Sequence, residues 1–271
     1  MNDLSVFQAF VLGALQGFAE FLPVSSSAHL SLAPWAFGWP EPGLAFDVAL
    51  HVGTLVALLW YFRAEWVALA RAAMSVLAKR RTETAEERRA VFLVIATIPG
   101  ALAGLLLEKQ AETIFRAPAL TATALIAMGA LLWVVDARAR RERPLPSMRW
   151  QDSLIIGCAQ AFALIPGVSR SGATITAGRA LGFDRTAATV FSFMMSMPII
   201  AAAAVLKLPK ALAQSGLDAP LVVGVLTAAV SSAIAIAVLL RFIQRRGFGV
   251  FALYRFALGA AVLALVAARG G

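Results

Sequence analysis

Six apolar runs divide the chain, at about 44–62, 86–107, 117–136, 186–206, 220–240 and 250–268. Each is close to the roughly 20 residues with which a helix crosses the hydrocarbon core of a bilayer. Two further apolar regions, 4–37 and 151–182, are broken by polar turns. The first break reads Leu22-Pro23-Val24-Ser25-Ser26-Ser27, the second Ile165-Pro166-Gly167-Val168-Ser169-Arg170-Ser171-Gly172. Either half of such a region is too short to cross, so each predicts a hairpin that enters and leaves on one side. The pattern therefore predicts an all-α polytopic membrane protein, with six transmembrane helices plus two re-entrant helical hairpins in one membrane domain, 1–271.

Composition narrows the class. Of 271 residues, 60% are hydrophobic and only 14% charged, with a mean hydropathy of +0.80. A soluble domain carries about 25% charged residues, so soluble, disordered and collagen-like readings fall away. A transmembrane barrel needs short alternating segments, which are not seen. The net charge of +9 could suggest nucleic acid, but the bases sit in loops between apolar runs. No nucleic-acid partner is expected. The loops 63–90, 137–150 and 241–249 hold fifteen Lys and Arg, and the alternate loops hold four: Lys109, Arg116, Lys207 and Lys210. By the positive-inside rule the basic loops are cytoplasmic. Residues 64–80 are expected to lie on that face as an amphipathic helix. Cys158, the single cysteine, excludes an internal disulfide, and Met1-Asn2-Asp3 lacks the basic start of a cleavable signal peptide.

The chain also repeats itself. Gln16, Val24, Ser25 and Ser27 recur 144 positions later as Gln160, Val168, Ser169 and Ser171, and Pro23 has a near partner in Pro166. Three predicted crossings separate the two hairpins, so the second copy must be upside down relative to the first. The expectation is an inverted-topology repeat, 1–136 against 151–271. Hairpin 4–37 would enter from outside, hairpin 151–182 from the cytoplasm, and their tips would meet near the midplane.

Ionisable groups inside apolar segments are costly and point to function. Here they gather at the tips. Gln16 and Glu20 are four apart and share a helix face, as do Ser25 and His29. Ser25, Ser26 and Ser27 follow the first break, and Ser169, Arg170, Ser171, Gly172 and Thr174 form the second. Serines after a break cap a helix whose free N–H groups make an anion site. Gly167 and Gly172 allow close backbone approach, and Arg170 offers a fork that fits phosphate oxygens. With Glu20 and His29 beside it, this chemistry points to phosphoryl transfer or hydrolysis. Simpler readings stand beside this one. Thr174, Thr176 and Ser27 can bond within their own helices, Gln16 and Gln160 can join helices, and Glu20 can merely pair with Arg170. His29 can be a packing residue, and Asp47 and His51 either support the site or link helices. Met194, Met195 and Met197 would pack or line a lipid-tail groove, and Arg179 and Arg185 would serve topology at the cytoplasmic end.

The stretch QGFAEFLPVSSSAH resembles the first signature of the bacterial undecaprenyl-diphosphate phosphatases, the bacitracin-resistance proteins, and PGVSRSGAT resembles the second. The blocks FDVALHVGTLVALLWYF, FLVIATIPGALAGLLLE and TAGRALGFDRTAATVFSFMMSMP are similar to that family in the same order. The resemblance implies hydrolysis of undecaprenyl diphosphate to undecaprenyl phosphate and inorganic phosphate at a site facing outward from the bacterial inner membrane. It implies catalytic roles for Glu20, Ser26, His29 and Arg170, while the chemistry of the tips themselves adds the expectation of phosphate binding at Ser25, Ser27, Ser169, Ser171, Gly172 and Thr174. It also implies a divalent cation, Mg or Ca, held by Glu20 and Gln16. Gln16 departs from the two-carboxylate version of the motif; it can ligate through its carbonyl but cannot act as a base. Ser26, His29 or a water could each be the nucleophile. The expected partners are a polyprenyl diphosphate, membrane lipids and, as an open option, a second copy of the chain. The rival class is a secondary transporter or lipid-phosphate flippase with an anion site at the midplane.

Overall fold

Short polar signals cut this apolar chain into helices. In the computed structural model, which describes residues 4–107, 117–139 and 142–269, Ser5 caps α1 (Val6–Phe21) in a reciprocal box with Gln8. Leu22 then turns extended ahead of Pro23, and α1 ends. Helix α2 (Ser26–Phe37) starts from Ser25 and stops at Gly38 in the left-handed conformation, φ 66°. Helices α3 (Gly43–Tyr61) and α4 (Arg63–Lys79) meet at a bend of 85°. The Thr84/Glu87 box opens α5 (Ala85–Leu106), and Pro118 stands at the first position of α6 (Pro118–Arg138).

The second half also opens on a broken pair of helices. Helix α7 (Trp150–Ala161) runs into a 3-10 turn, Phe162–Leu164, before α8 (Arg170–Ala180). Asp184 and Asp218 cap the long helices α9 (Arg185–Ser215) and α10 (Ala219–Arg245), and α11 (Gly249–Ala268) closes the bundle. Among the described residues there are eleven α-helices. Five of them are long and apolar enough to cross a membrane, and the bent pair α3–α4 raises the number to six if it forms one span. Phe7, Trp60, Leu106, Val205 and Val238 stand exposed on the outside, a surface suited to lipid rather than water. The basic-loop residues Lys109, Arg116, Arg140 and Arg141 lie outside the described residues.

Small residues let the helices close up. Helix α1 lies along α10, where a Cβ on Gly13 would run into the carbonyl of Gly224. Helix α7 lies along α5, where a Cβ on Gly157 would meet the carbonyl of Ala96. Helix α3 packs on both α9 and α10, and α6 packs on α11. Phe21, Phe62, Phe193, Met194 and Met195 fill the core behind the first hairpin, with Phe21 edge-on to Phe193 at 5.0 Å. Met197 is buried too, so all three methionines of this stretch pack.

Two arginines need a different account from the one their position suggested. Arg179 is fully buried, its Nε donating to Asp136 at 2.9 Å and its guanidinium also to the Phe183 carbonyl. Arg185 grips the same carboxylate at 2.8 Å, and the Phe248 N–H donates to it at 3.1 Å. One buried carboxylate thus ties α6, α8, α9 and the start of α11. That is a structural lock, because charges so deeply buried persist only when paired and hydrogen-bonded.

Candidate active site

The two tips are built alike. Ser25 and Ser169 each cap the following helix from an unusual positive φ, 77° and 70°, and accept from the N–H three residues on, Ala28 and Gly172. Non-glycine residues are uncommon there, and the conformation persists only where surroundings hold it. Each capping hydroxyl also meets the serine two residues later at 3.2 Å, Ser25 with Ser27 and Ser169 with Ser171. The tips touch across the repeat: the Gly167 N–H donates to Ser25 Oγ at 3.2 Å, and Ser171 Oγ donates to the Leu22 carbonyl at 3.2 Å.

Glu20 is the centre of this junction. It is 6% exposed, so its charge must be answered by protein. Oε1 takes the guanidinium of Arg170 at 2.6 Å, a link from one hairpin to the other. Oε2 accepts from Ser26 Oγ at 2.5 Å and from Gln16 Nε2 at 3.1 Å. His51 on α3 brings its Nε2 to 3.6 Å from Oε2, while its Nδ1 donates to the Asp47 carbonyl at 2.7 Å. Of the residues singled out from the sequence, Gln16, Glu20, Ser26 and Arg170 therefore converge, and His51 joins them.

The others are placed differently. His29 is buried, its Nδ1 on the Ser25 carbonyl at 2.7 Å and its Nε2 on the Tyr254 hydroxyl at 2.6 Å. No bond from it to Glu20, Ser26 or Arg170 is seen among the described residues. Thr174 is fully buried and bonded to the Arg170 carbonyl at 2.8 Å and Ser192 Oγ at 2.6 Å. Ser27 is exposed and Ser26 half-buried beside the junction. Gln160, the repeat partner of Gln16, lies against Gly100 of α5, and among the described residues neither end of its buried amide has a hydrogen-bond partner.

Sequence reading missed Tyr254 and Arg255, which reach the tips from α11. Arg255 is fully buried and donates to the carbonyls of Leu125 (3.0 Å), Pro23 (3.0 Å), Gly167 (2.5 Å) and Val168 (3.1 Å). It clamps both breaks at once. An arginine inside the apolar run 250–268 was the available signal.

The donor set bears on the expected cation. Among the described residues no cluster of three or more His, Cys, Asp or Glu stands ready to hold a metal. Glu20 offers one carboxylate, and Gln16 Oε1 is a buried acceptor without a hydrogen-bond partner among the described residues. Such a pair fits a cation that takes its remaining oxygens from phosphate and water, as magnesium commonly does, and not an all-protein cage. Chemically, the junction can bind an anion at two helix N-termini, hold it with a guanidinium and deprotonate a hydroxyl.

Comparison with known proteins agrees with this chemistry. Residues 9–261 match the family model described as bacitracin resistance protein BacA. An undecaprenyl-diphosphatase of Gemmatimonas aurantiaca is 55% identical over 98% of this chain and 100% of its own length. Those of Pelotomaculum thermopropionicum and Moorella thermoacetica are 48% and 49% identical, over 98% and 97% of this chain and 98% of each relative.

Proposed function

The chain belongs to the bacitracin resistance protein BacA family, and from that premise we propose how its paired tips carry out the reaction. The protein is a membrane-embedded undecaprenyl-diphosphatase: it hydrolyses undecaprenyl diphosphate to undecaprenyl phosphate and inorganic phosphate, returning the lipid carrier to cell-wall synthesis. The observation that carries the mechanism is the Ser26 hydroxyl, 2.5 Å from a carboxylate that Arg170 holds in place. Glu20 accepts the Ser26 proton as Oγ attacks the terminal phosphorus. The bond from that phosphorus to the bridging oxygen breaks, Glu20 passes the proton to that oxygen, and undecaprenyl phosphate leaves. The regenerated Glu20 carboxylate then takes a proton from a water that attacks the phosphoserine, and it returns that proton to Ser26 Oγ as the bond from phosphorus to Oγ breaks and inorganic phosphate is released. The diphosphate lies against the first turns of α2 and α8, whose leading N–H groups have no carbonyl within the helix, with Arg170 on its oxygens. Ser25, Ser169, Ser171, Gly172 and Thr174 serve it indirectly, by shaping those turns, and Ser27 lines the open side. Glu20 and the Gln16 carbonyl would hold a divalent cation, which supplies neutralisation of the phosphate charge when bound.

The inverted repeat, 1–136 against 151–271, belongs to this reading. Matched caps at Ser25 and Ser169 support it, as does the matched packing of α1 on α10 and α7 on α5. So does the placement of basic residues, whose rich loops fit the cytoplasmic side of a bacterial inner membrane, the orientation in which this reading has the site open outward. Purified protein in detergent is expected to release phosphate from a prenyl diphosphate with no membrane gradient, and Ser26→Ala to lower turnover by about 100-fold or more. Near-normal turnover of Ser26→Ala would exclude the serine route.

A further inference from the structure

The chain holds two histidines, and the same local contact fixes both. Nδ1 of His29 lies 2.7 Å from the Ser25 carbonyl, and Nδ1 of His51 lies 2.7 Å from the Asp47 carbonyl, four residues back in each case. A carbonyl can only accept, so Nδ1 carries the proton and the lone pair stands at Nε2. From there the two differ. Nε2 of His29 is closed by the Tyr254 hydroxyl at 2.6 Å, whereas Nε2 of His51 faces Glu20 Oε2 at 3.6 Å. Arg170 already answers the Glu20 charge, so His51 is not needed there as a counter-ion. What remains is a nitrogen lone pair set against a carboxylate oxygen, the pair of donors that a metal ion takes. Two donors that each stand about 2 Å from one small dication are themselves about 3–3.6 Å apart, so the spacing suits a shared ion. Gln16 adds a third donor. It is fully buried, its Nε2 is 3.1 Å from the same Oε2, and its Oε1 has no hydrogen-bond partner among the described residues. A half-turn of the amide about its last bond exchanges its two ends. The His51 side chain is 34% exposed, which leaves one side of the cluster open to phosphate and water oxygens.

We propose that His51 Nε2 is a metal ligand at this junction, beside Glu20 Oε2 and the Gln16 carbonyl, and that it turns the site from magnesium or calcium toward a first-row transition dication such as manganese or zinc. Magnesium and calcium are hard ions that seek oxygen, while imidazole nitrogen suits the transition series. A ligating imidazole commonly gives its other N–H to a backbone carbonyl, as His51 does to Asp47. The inference rests on the reading that Glu20 and Gln16 hold a divalent cation, to which it adds a donor and a class of metal.

The experiment measures metal binding directly. Protein purified without a histidine tag and stripped with a chelator is titrated with manganese, the free ion being counted by its paramagnetic resonance signal, and magnesium is added in competition. The wild type is expected to hold manganese at least about tenfold more tightly than magnesium, and His51→Gln, which puts an oxygen in place of the nitrogen, to narrow that ratio to under about threefold. An unchanged ratio in His51→Gln overturns the proposal. Pulsed resonance on manganese-loaded wild type is expected to show one directly bound nitrogen, whose signature changes when the histidines carry the heavier nitrogen isotope. This arm needs no substitution, and Tyr254 keeps His29 from being the source. A missing nitrogen signal, or one that persists in His51→Gln, also overturns the proposal. The underlying reading has its own control: manganese binding that is the same in Glu20→Gln as in the wild type overturns the cation site at Glu20 and Gln16 itself.

Discussion

A single carboxylate organises the site, and its oxygens are divided between two tasks. Glu20 Oε1 belongs to Arg170, and Oε2 belongs to Ser26 and Gln16. The guanidinium is planar and can stay on Glu20 while turning its other nitrogens to a phosphate; an ammonium is one point charge and must choose. Arg170→Lys is therefore expected to keep the fold and to lower kcat/KM by about ten- to a hundredfold, the range of a charge-assisted hydrogen bond. Steady-state kinetics with a prenyl diphosphate measures this, and a change under twofold would mean that the fork itself is idle. Gln16, Glu20, Ser26 and Arg170 were readable in the sequence because polar groups are conspicuous in a chain with 14% charged residues. The same rule applied evenly would have found Arg255 and Asp136, which also stand inside apolar runs. His29 shows the other limit. Spacing placed it on the face of Ser25, whose carbonyl it does bond, but its partner at Nε2 comes from the far end of the chain, and no local pattern announces that.

Helix boundaries were legible where chemistry punctuates them. Leu22, extended ahead of Pro23, ended the first arm of one hairpin, Ala161 and a 3-10 turn ahead of Pro166 ended that of the other, and capping serines opened the second arms. The four-serine symmetry could be read from spacing; the positive φ at Ser25 and Ser169 could not, because it depends on the opposite tip and on Arg255 holding the adjacent carbonyls. Helix packing was also hidden, since a chain with 20 glycines makes small-residue spacings uninformative. The structure separates them. Gly157 presses on the Ala96 backbone, and Gly13, 144 positions earlier, presses on that of Gly224. Neither contact is with a side chain that can swing away, so a larger residue must push helices apart. Gly157→Leu is expected to destabilise the protein by at least about 1–3 kcal/mol, the usual cost of overpacking, seen as a lowered unfolding temperature in detergent. Gly104, with open space where a Cβ would go, is the control: Gly104→Ala should leave the unfolding temperature in place.

The whole molecule joins two charge systems, the substrate junction at the tips and the Asp136 lock. Both lie on the second hairpin: Arg170 begins α8, and Arg179 is near its end. One short helix of eleven residues thus carries an anion-binding start and an anchored finish. If the repeat is inverted, its two hairpins must open to opposite sides of the membrane while their tips share one site. This is the topological claim that hydropathy alone leaves untested, and it has a direct readout. In a Cys158→Ser background, Pro40→Cys places a thiol just beyond the first hairpin, and Glu142→Cys places one before the second; both positions are exposed. A membrane-impermeant maleimide added to intact spheroplasts is expected to label position 40 and spare position 142 until the membrane is permeabilised. Labelling of both from outside would remove the inverted arrangement. Labelling of 142 alone would reverse the orientation and move the opening of the site to the cytoplasm, where a phosphatase that recycles an externally released diphosphate carrier would meet its substrate only after the lipid had crossed.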